Sequence, residues 1–212
     1  MPTGIAIRDP REQLFDAAER VLLRDGPMAL TSRAVTAEAG VAKGVLHRHF
    51  TDFDEFLAEF VLDRVGRMDQ LTAGLRDAAG TGTVTGNLTE ALRSLFGSVA
   101  VAVVPLVISR PQLRVRLRRS WPAGVPVLTQ AAEIIAGYLA AERDLGRIEA
   151  GADVDTLAFM IIGTVHLEAV GKDGEPPDAA DIARILAVMT GDKGDAIRRR
   201  IVGRLRAESV EP

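Results

Sequence analysis

One short segment, residues 31–50 (TSRAVTAEAGVAKGVLHRHF), constrains the fold more than any other part of the chain. Apolar residues recur at helical spacing on both sides of Gly40, and glycine can take the left-handed conformation that ends a helix abruptly. Thr31 can cap the first helix with its hydroxyl. Leu46 and Phe50, four residues apart, place one face of the second helix in the core. The segment therefore predicts two short helices joined by a tight turn, which is the helix–turn–helix arrangement.

The outward face of the second short helix carries the residues that such a motif presents to the DNA major groove. Lys43 and Arg48 offer positive charge to phosphates or to guanine acceptors. Gly44 has no side chain to hold the helix away from DNA, and Val45 can pack on a thymine methyl group. We predict DNA contacts at Thr31, Ser32, Arg33, Lys43, Gly44, Val45, His47, Arg48 and His49.

A metal site is the alternative interpretation of the neighbouring histidines. His47 and His49 are two residues apart, so on a helix they point about 200° away from each other and cannot share an ion. His166 lies far along the chain in an apolar segment, where packing or a subunit interface is the favoured role. The chain has no cysteine, which excludes a thiolate zinc site, a disulfide framework and a cysteine nucleophile. We predict no metal site.

The remainder of the chain has helical period and lacks the alternating pattern of β-strands. We predict an all-α fold with an N-terminal three-helix domain at residues 1–51 and a second helical domain at 52–212. A capping box of Thr51 with Asp54 is expected where the fourth helix begins. The predicted helices cover residues 10–25, 32–39, 43–50, 51–75, 88–109, 112–120, 125–145, 153–170, 178–190 and 196–206, with a glycine-rich loop at 79–87.

Composition and charge narrow the class of protein further. The chain is 47% hydrophobic, 4% aromatic and 26% charged, which is typical of helical proteins rich in alanine, leucine and valine. Its most apolar run, residues 95–108, is shorter than the roughly 20 residues that span a bilayer, and its start lacks a signal-peptide pattern. We therefore expect a cytoplasmic protein without a membrane partner. A net charge of −3 still permits DNA binding, because a local basic patch can supply the attraction.

No catalytic constellation is recognisable in the sequence. The stretch GTGTVTG after Ala79 lacks the preceding strand and the lysine of a phosphate-binding loop, and no GxSxG motif is present. The chain is therefore predicted not to be an enzyme and to have no catalytic residues and no cofactor.

The segment from about residue 11 to residue 57 resembles the DNA-binding domain of tetracycline-repressor-like (TetR family) transcriptional regulators. The resemblance rests on REQLFDAAERVLLRDG, on LTSRAVTAEAGVAKGVLHRHF and on the acidic start of the helix that follows. Three positions depart from the family's usual pattern: His47 replaces a tyrosine, Ala42 a serine or threonine cap, and Phe53 a lysine. These changes remove contacts to the DNA backbone, so we expect weaker or more selective DNA binding.

The resemblance implies a C-terminal domain that binds a small molecule and pairs two subunits. The chain would then be a homodimer on a palindromic operator in double-stranded DNA, a repressor released when a small, largely apolar effector binds. Expected pocket residues are Phe96, Val99, Val103, Trp121, Tyr138 and Phe159. Expected residues of the dimer interface are Leu157, Met160, Ile161, Thr164, Leu167, Ile185 and Val188.

Two alternatives remain open from the sequence. One is a constitutive DNA-binding regulator without an effector, and the other is a helical ligand carrier or enzyme with an incidental helix–turn–helix. A cavity of several hundred cubic ångströms under residues 95–108 would favour the ligand-responsive regulator. The arginine-rich segment 110–119 is predicted to form a solvated helix face.

Overall fold

The computed structural model describes residues 9–97, 99–170 and 176–190. These ranges contain α-helices and no β-strand, which confirms the all-α prediction. The helices are α1 (Pro10–Asp25), α2 (Ser32–Glu38), α3 (Gly44–His49), α4 (Phe53–Asp77), α5 (Val84–Phe96), α6 (Ala100–Ser109), α7 (Pro111–Leu117), α8 (Pro126–Asp144), α9 (Val154–Val170) and α10 (Ala179–Met189). The helix predicted at 196–206 lies outside the described residues.

An aromatic core joins the first three helices to α4. The ring of Phe15 in α1 lies 5.8 Å from that of Phe50 and 5.6 Å from that of Phe56, measured between centroids. Phe50, the residue after α3, meets Phe56 of α4 edge-on at 5.1 Å. Aromatic pairs of this kind contribute about 0.5–1.5 kcal/mol beyond their burial. The start of α4 is therefore part of the core of the N-terminal domain.

The capping box at the start of α4 uses different residues from those predicted. The carboxylate of Asp52 accepts a hydrogen bond from the backbone N–H of Glu55 at 2.9 Å. The carboxylate of Glu55 in turn accepts one from the backbone N–H of Thr51. Asp52 is thus the capping residue, and Glu55 reaches back to the residue before it, which is a variant of the capping box. The predicted pairing of Thr51 with Asp54 is wrong because the chain turns into the helix after Asp52.

The single helix predicted at 88–109 is two helices. α5 begins at Val84, where the hydroxyl of Thr83 accepts a hydrogen bond from a backbone N–H of the first turn at 3.0 Å. The predicted loop at 79–87 is therefore too long. α5 and α6 meet at a bend of 53°, and the bend falls next to Gly97 rather than at Pro105, which lies inside α6. Among the described helices none is alone long and apolar enough to cross a membrane, and only this bent pair together passes that test.

The C-terminal helices form a second core that shares α4 with the first. α8 packs on α4 and α9, and α10 packs on α5 and α9. The side chains at the centre are fully buried: Leu106, Ile135, Leu139, Ile161, Val165, Ile182 and Leu186. α4 therefore contributes to both cores, through its contacts with α8 and through the aromatic core.

A buried polar network joins the start of α5 to α8. The carboxylate of Glu142 is fully buried, accepts a hydrogen bond from the hydroxyl of Tyr138 at 2.5 Å and pairs with Arg147 at 3.1 Å. The side-chain amide of Asn87 donates to the Tyr138 hydroxyl at 2.9 Å. Burial, together with the hydrogen bond to Glu142, raises the pKa of Tyr138 above its ordinary value. The hydroxyl of Tyr138 thus accepts one hydrogen bond and donates another within this network.

Candidate nucleic-acid interface

The turn between α2 and α3 is defined by a cap at each end of α2. The hydroxyl of Thr31 accepts a hydrogen bond from a backbone N–H of the first turn at 3.2 Å. Gly40 has a φ of +67°. Its N–H donates to the carbonyl of Ala37 at 3.1 Å, and the N–H of Val41 donates to the carbonyl of Thr36 at 3.0 Å. These two bonds form a Schellman motif, which confirms the predicted left-handed glycine.

The inner face of α3 anchors it in the position that a recognition helix requires. Leu46 is fully buried and Phe50 is 2% exposed, as the sequence predicted. No side chain caps the helix at Lys43. Arg11 of α1 instead lies over the Phe50 ring, 4.6 Å from its centre, and donates to the backbone carbonyl of His49 at 3.4 Å. The position of α3 therefore depends on α1 more than on its own first turn.

The outward face of α3 leaves positive charges without partners. Lys43, His47 and Arg48 are exposed, and so is Arg33 at the start of α2. Within the residues that the structure describes, the side chains of Arg33, Lys43 and Arg48 form no ion pair and no hydrogen bond. Unpaired cations on an exposed helix attract the phosphates of DNA. The exposure of these side chains agrees with the sequence analysis, and their contact with DNA stays a prediction.

The other predicted DNA-contacting residues differ in how far they face outward. A Cβ atom added at Gly44 would meet no atom within 4 Å, so packing within the protein does not require glycine there. Val45 is half-buried, and half-buried His49 has its ring 6.5 Å from that of Phe50. The hydroxyl oxygen of Ser32 is buried and has no hydrogen-bond partner among the described residues. His49 and Ser32 are thus less available to DNA than Thr31, which is exposed.

Arg110, between α6 and α7, forms hydrogen bonds with the N-terminal domain. Its guanidinium donates to the backbone carbonyl of Leu30 at 2.6 Å and to that of Pro27 at 3.3 Å. The same group lies 5.8 Å from the centre of the Phe53 ring. The prediction of a solvated face is wrong for this residue, because the carbonyls that it binds belong to the distant turn between α1 and α2.

Arg116 of α7 makes a second connection to the N-terminal domain. It pairs with Asp52, the capping residue of α4. The backbone N–H of Glu55, with the charge of Arg116, lowers the pKa of Asp52. The prediction for the segment 110–119 is wrong here too, but it holds for the exposed Arg114, Arg118 and Arg119.

Ion pairs also fasten α1 to α4. The side chain of Arg64 in α4 is only 2% exposed, and it pairs with Asp16 at 3.2 Å and with Glu19 at 2.5 Å. Its guanidinium lies 5.0 Å from the centre of the Phe60 ring. Removing one partner of a buried ion pair is strongly destabilising, because the other charge stays buried and uncompensated. α1 and α4 therefore respond to a displacement together.

A cleft of about 710 Å³ lies between α1, α6 and α9. It runs along residues 95–108, the segment beside which a cavity would favour a ligand-responsive regulator. Among the described residues that line it, the side chains are apolar except for those of Ser109 and His166. Burial lowers the pKa of His166, and its Nδ1 atom is buried with no hydrogen-bond partner among the described residues. The volume lies within the usual range of small-molecule sites.

The structure does not bring the predicted ligand-binding residues together. Phe96 lines the cleft. Trp121 lines a separate cavity of about 180 Å³, and Phe159 is 72% exposed. The remaining residues lie in the core or in the polar network: Val99, Val103 and Tyr138. These residues are apolar or aromatic, and helical period places them on particular faces of their helices. It does not show which neighbouring helix each face contacts.

The predicted dimer residues mark an exposed apolar surface on α9 and α10, with one exception. Met160 is 50% exposed, Leu167 75% and Val188 81%, whereas Leu157, Thr164 and Ile185 are half-buried. Ile161 is fully buried within the protein and does not fit an interface. Phe159 and Val170, which the sequence analysis did not assign to this surface, are exposed beside Met160 and Leu167 at helical spacing.

These features define a class of protein: an all-helical protein with an N-terminal helix–turn–helix domain and a helical C-terminal domain. Residues 14–60 match the sequence profile of the bacterial regulatory proteins of the tetR family. This match confirms that the N-terminal segment resembles the DNA-binding domain of TetR-family transcriptional regulators. No curated protein matches it in sequence.

Solved structures share the whole fold at low sequence identity. The fatty acid degradation regulator FadR of Bacillus halodurans is 20% identical, covers 89% of this chain and 98% of its own, and has a TM-score of 0.65. FadR of Bacillus subtilis, in complex with stearoyl-CoA, is 19% identical, with coverages of 84% and 97% and a TM-score of 0.61. A TetR-family regulator of Mesorhizobium loti is 18% identical, with coverages of 86% and 93% and a TM-score of 0.63.

Proposed function

We propose that this protein is a dimeric, ligand-responsive regulator that works in the cytoplasm, binds a palindromic operator through α3, and represses transcription until a small, largely apolar molecule releases it. The observation that carries the proposal is the outward face of α3. Lys43 and Arg48 have no partner in the described part of the chain, while Leu46 and Phe50 fix the helix from behind. An anchored helix with free cations is suited to the major groove.

The exposed apolar surface of α9 and α10 supports the dimer. Leu167 and Val188 are more than two-thirds exposed, and contiguous apolar surface of this kind marks interaction sites in soluble proteins. A twofold axis through such a surface would pair two copies of α3, and dimeric helix–turn–helix proteins read half-sites about 34–36 Å apart. Such a dimer would bind an operator with two inverted half-sites.

The cleft beside α6 supports a ligand-responsive role. Its volume of about 710 Å³ and apolar walls suit a largely apolar molecule. FadR of Bacillus subtilis, which shares the fold, binds stearoyl-CoA in its crystal structure. A ligand shifts a regulator away from DNA only as far as it prefers the state that cannot bind DNA.

The direct test is to select fragments of the source genome with the full-length protein and then to measure their affinity by fluorescence anisotropy. We expect a few fragments with inverted repeats to be enriched. Arg48→Met should abolish most of the enrichment, whereas Arg119→Met, an exposed arginine on α7, should preserve it. Equal recovery of all genomic fragments at every salt concentration would contradict sequence-specific regulation. An operator affinity that no ligand changes would indicate a constitutive regulator.

A further inference from the structure

The cleft between α1, α6 and α9 differs from an ordinary gap between helices because one of its walls belongs to the DNA-binding domain. Leu22 and Leu23, near the end of α1, line one side, and Ala102 and Ile108 of α6 line another. We propose that this cleft binds a neutral amphipathic molecule, with an apolar body along α1 and α6 and one hydrogen-bonding head at His166. This inference deepens the proposed function and rests on it for its regulatory meaning.

The size and the apolar walls of the cleft determine the size and the chemistry of the ligand's body. A volume of about 710 Å³ lies within the range in which a protein can bury most of a small organic molecule. Leu23 is 58% exposed and Ile108 is 55% exposed although both line the cleft. Covering such side chains with an apolar chain removes apolar surface from water, which favours binding.

The imidazole of His166 fixes the head of the ligand. It is the titratable group among the lining residues, and no lysine, arginine, aspartate or glutamate lines the cleft in the described part of the chain. Its Nδ1 atom is buried and has no hydrogen-bond partner among the described residues. A rotation of the ring toward the cleft would let this atom bond to the ligand head, and a buried polar atom gains most from a new hydrogen bond. A carboxylate or ammonium would be desolvated with no opposite charge, which is costly. A hydroxyl, carbonyl or amide head avoids that cost.

The position of the cleft gives the ligand a short route to the DNA-binding helix. A molecule between Leu22 and Ala102 bears directly on α1 and α6. α1 holds α3 through Arg11 and its contacts with Phe50 and His49. Occupation of the cleft therefore acts on the support of α3 without requiring a rearrangement of the C-terminal core.

The proposal is tested with the full-length protein and two probes that share a chain and differ in the head, decan-1-ol and decanoate. Binding is measured by isothermal titration calorimetry at pH 8, in the absence of DNA. We expect decanol to bind at least tenfold more tightly than decanoate. Ala102→Trp should weaken decanol binding at least tenfold, whereas Val115→Trp, on the exposed side of α7, should leave it unchanged. Ala102→Leu provides a smaller obstruction in case the tryptophan variant does not fold.

The role of His166 is tested with a pair of variants. His166→Leu should weaken decanol binding about fivefold, the equivalent of one ordinary hydrogen bond, and His166→Gln should restore most of the loss. Decanoate binding as tight as decanol, equal effects of the leucine and glutamine variants, or no saturable binding of either probe would each overturn the proposal. A second subunit seated in the cleft would also overturn it, and would be seen as dissociation of the Ala102→Trp dimer in analytical ultracentrifugation.

The proposed function and the assignment of a ligand to the cleft can be contradicted separately. A protein that binds decanol in the cleft but selects no genomic fragment would contradict the proposed function and support the ligand assignment. A protein that binds an operator, and whose Ala102→Leu and Ala102→Trp variants bind decanol like the unsubstituted chain, would contradict the cleft assignment alone.

Discussion

Arg110→Met offers the sharpest test of how the two domains are joined. The substitution keeps an unbranched side chain of similar length and removes the guanidinium, which donates to the carbonyls of Leu30 at 2.6 Å and Pro27 at 3.3 Å and lies over Phe53. Methionine can still pack against the ring. The change therefore isolates the hydrogen bonds and the charge.

The magnitude follows from the geometry of the three contacts. A hydrogen bond from a charged group contributes about 1.5–3 kcal/mol, and only the bond to Leu30 is short enough for that range. The longer bond to Pro27 and the contact with Phe53 together add about 1 kcal/mol. Ordering the long side chain of Arg110 offsets about 1 kcal/mol of this sum. We expect a net loss of about 2 kcal/mol in the free energy of unfolding.

Urea unfolding and amide hydrogen exchange measure the two consequences. The unfolding midpoint should fall in Arg110→Met, and exchange in the turn at residues 26–31 should accelerate, because both carbonyls lie there. Arg119→Met is the matched control, since Arg119 is an exposed arginine of the same segment with no side-chain partner in the described residues. A loss of stability no larger than in this control, with unchanged exchange in the turn, would refute the proposed connection.

Three further predictions concern the turn, the charges of α3 and the buried histidine. Gly40→Ala should cost about 1 kcal/mol because its φ is +67°, whereas Gly137→Ala, with open space around the added Cβ, should gain about 0.5–1 kcal/mol; equal urea midpoints would contradict the turn geometry. Lys43→Met removes one phosphate contact from each subunit of the proposed dimer, so it should reduce the slope of log affinity against log salt by roughly 1.8, twice the value of about 0.9 per contact. An unchanged slope would show that this lysine contacts no phosphate. Burial lowers the pKa of His166 below 6.5, so the unfolded chain takes up this proton at a higher pH than the folded one. Stability should therefore fall as the pH drops below about 6.5, and an identical fall in His166→Leu would refute this assignment.

Helix α3 and the turn before it could be predicted from the sequence because their determinants are local. Thr31 caps the helix that it begins, Gly40 forms bonds to α2 just before it, and Leu46 and Phe50 are four residues apart. Each of these signals acts within one or two helical turns. Helical period and turn chemistry are sufficient to read such features.

The connections between helices could not be predicted in the same way. The carbonyl that Arg110 binds in Leu30 is 80 residues away in the chain, and the partner of Arg64 in Asp16 is 48 residues away. Nothing in local spacing distinguishes Arg110 from the exposed Arg114. The sequence indicates a possible cavity beside residues 95–108, but the walls that α1 and α9 contribute could not be predicted. They meet α6 only because the chain bends between Phe96 and Val101.

The contacts around the cleft imply that ligand binding and the hydrogen bonds of Arg110 oppose each other. α1 is tied to α4 through Arg64, and Arg110 ties the end of α6 to the turn that follows α1. A molecule that separates α1 from α6 must then strain or break the bonds of Arg110. By linkage, Arg110→Met should raise the affinity for a cleft ligand and reduce the effect of that ligand on operator binding. A net 2 kcal/mol sets the upper limit of the gain at about 30-fold. Unchanged affinity of Arg110→Met for decanol would show that the cleft fills without moving α6 away from α1.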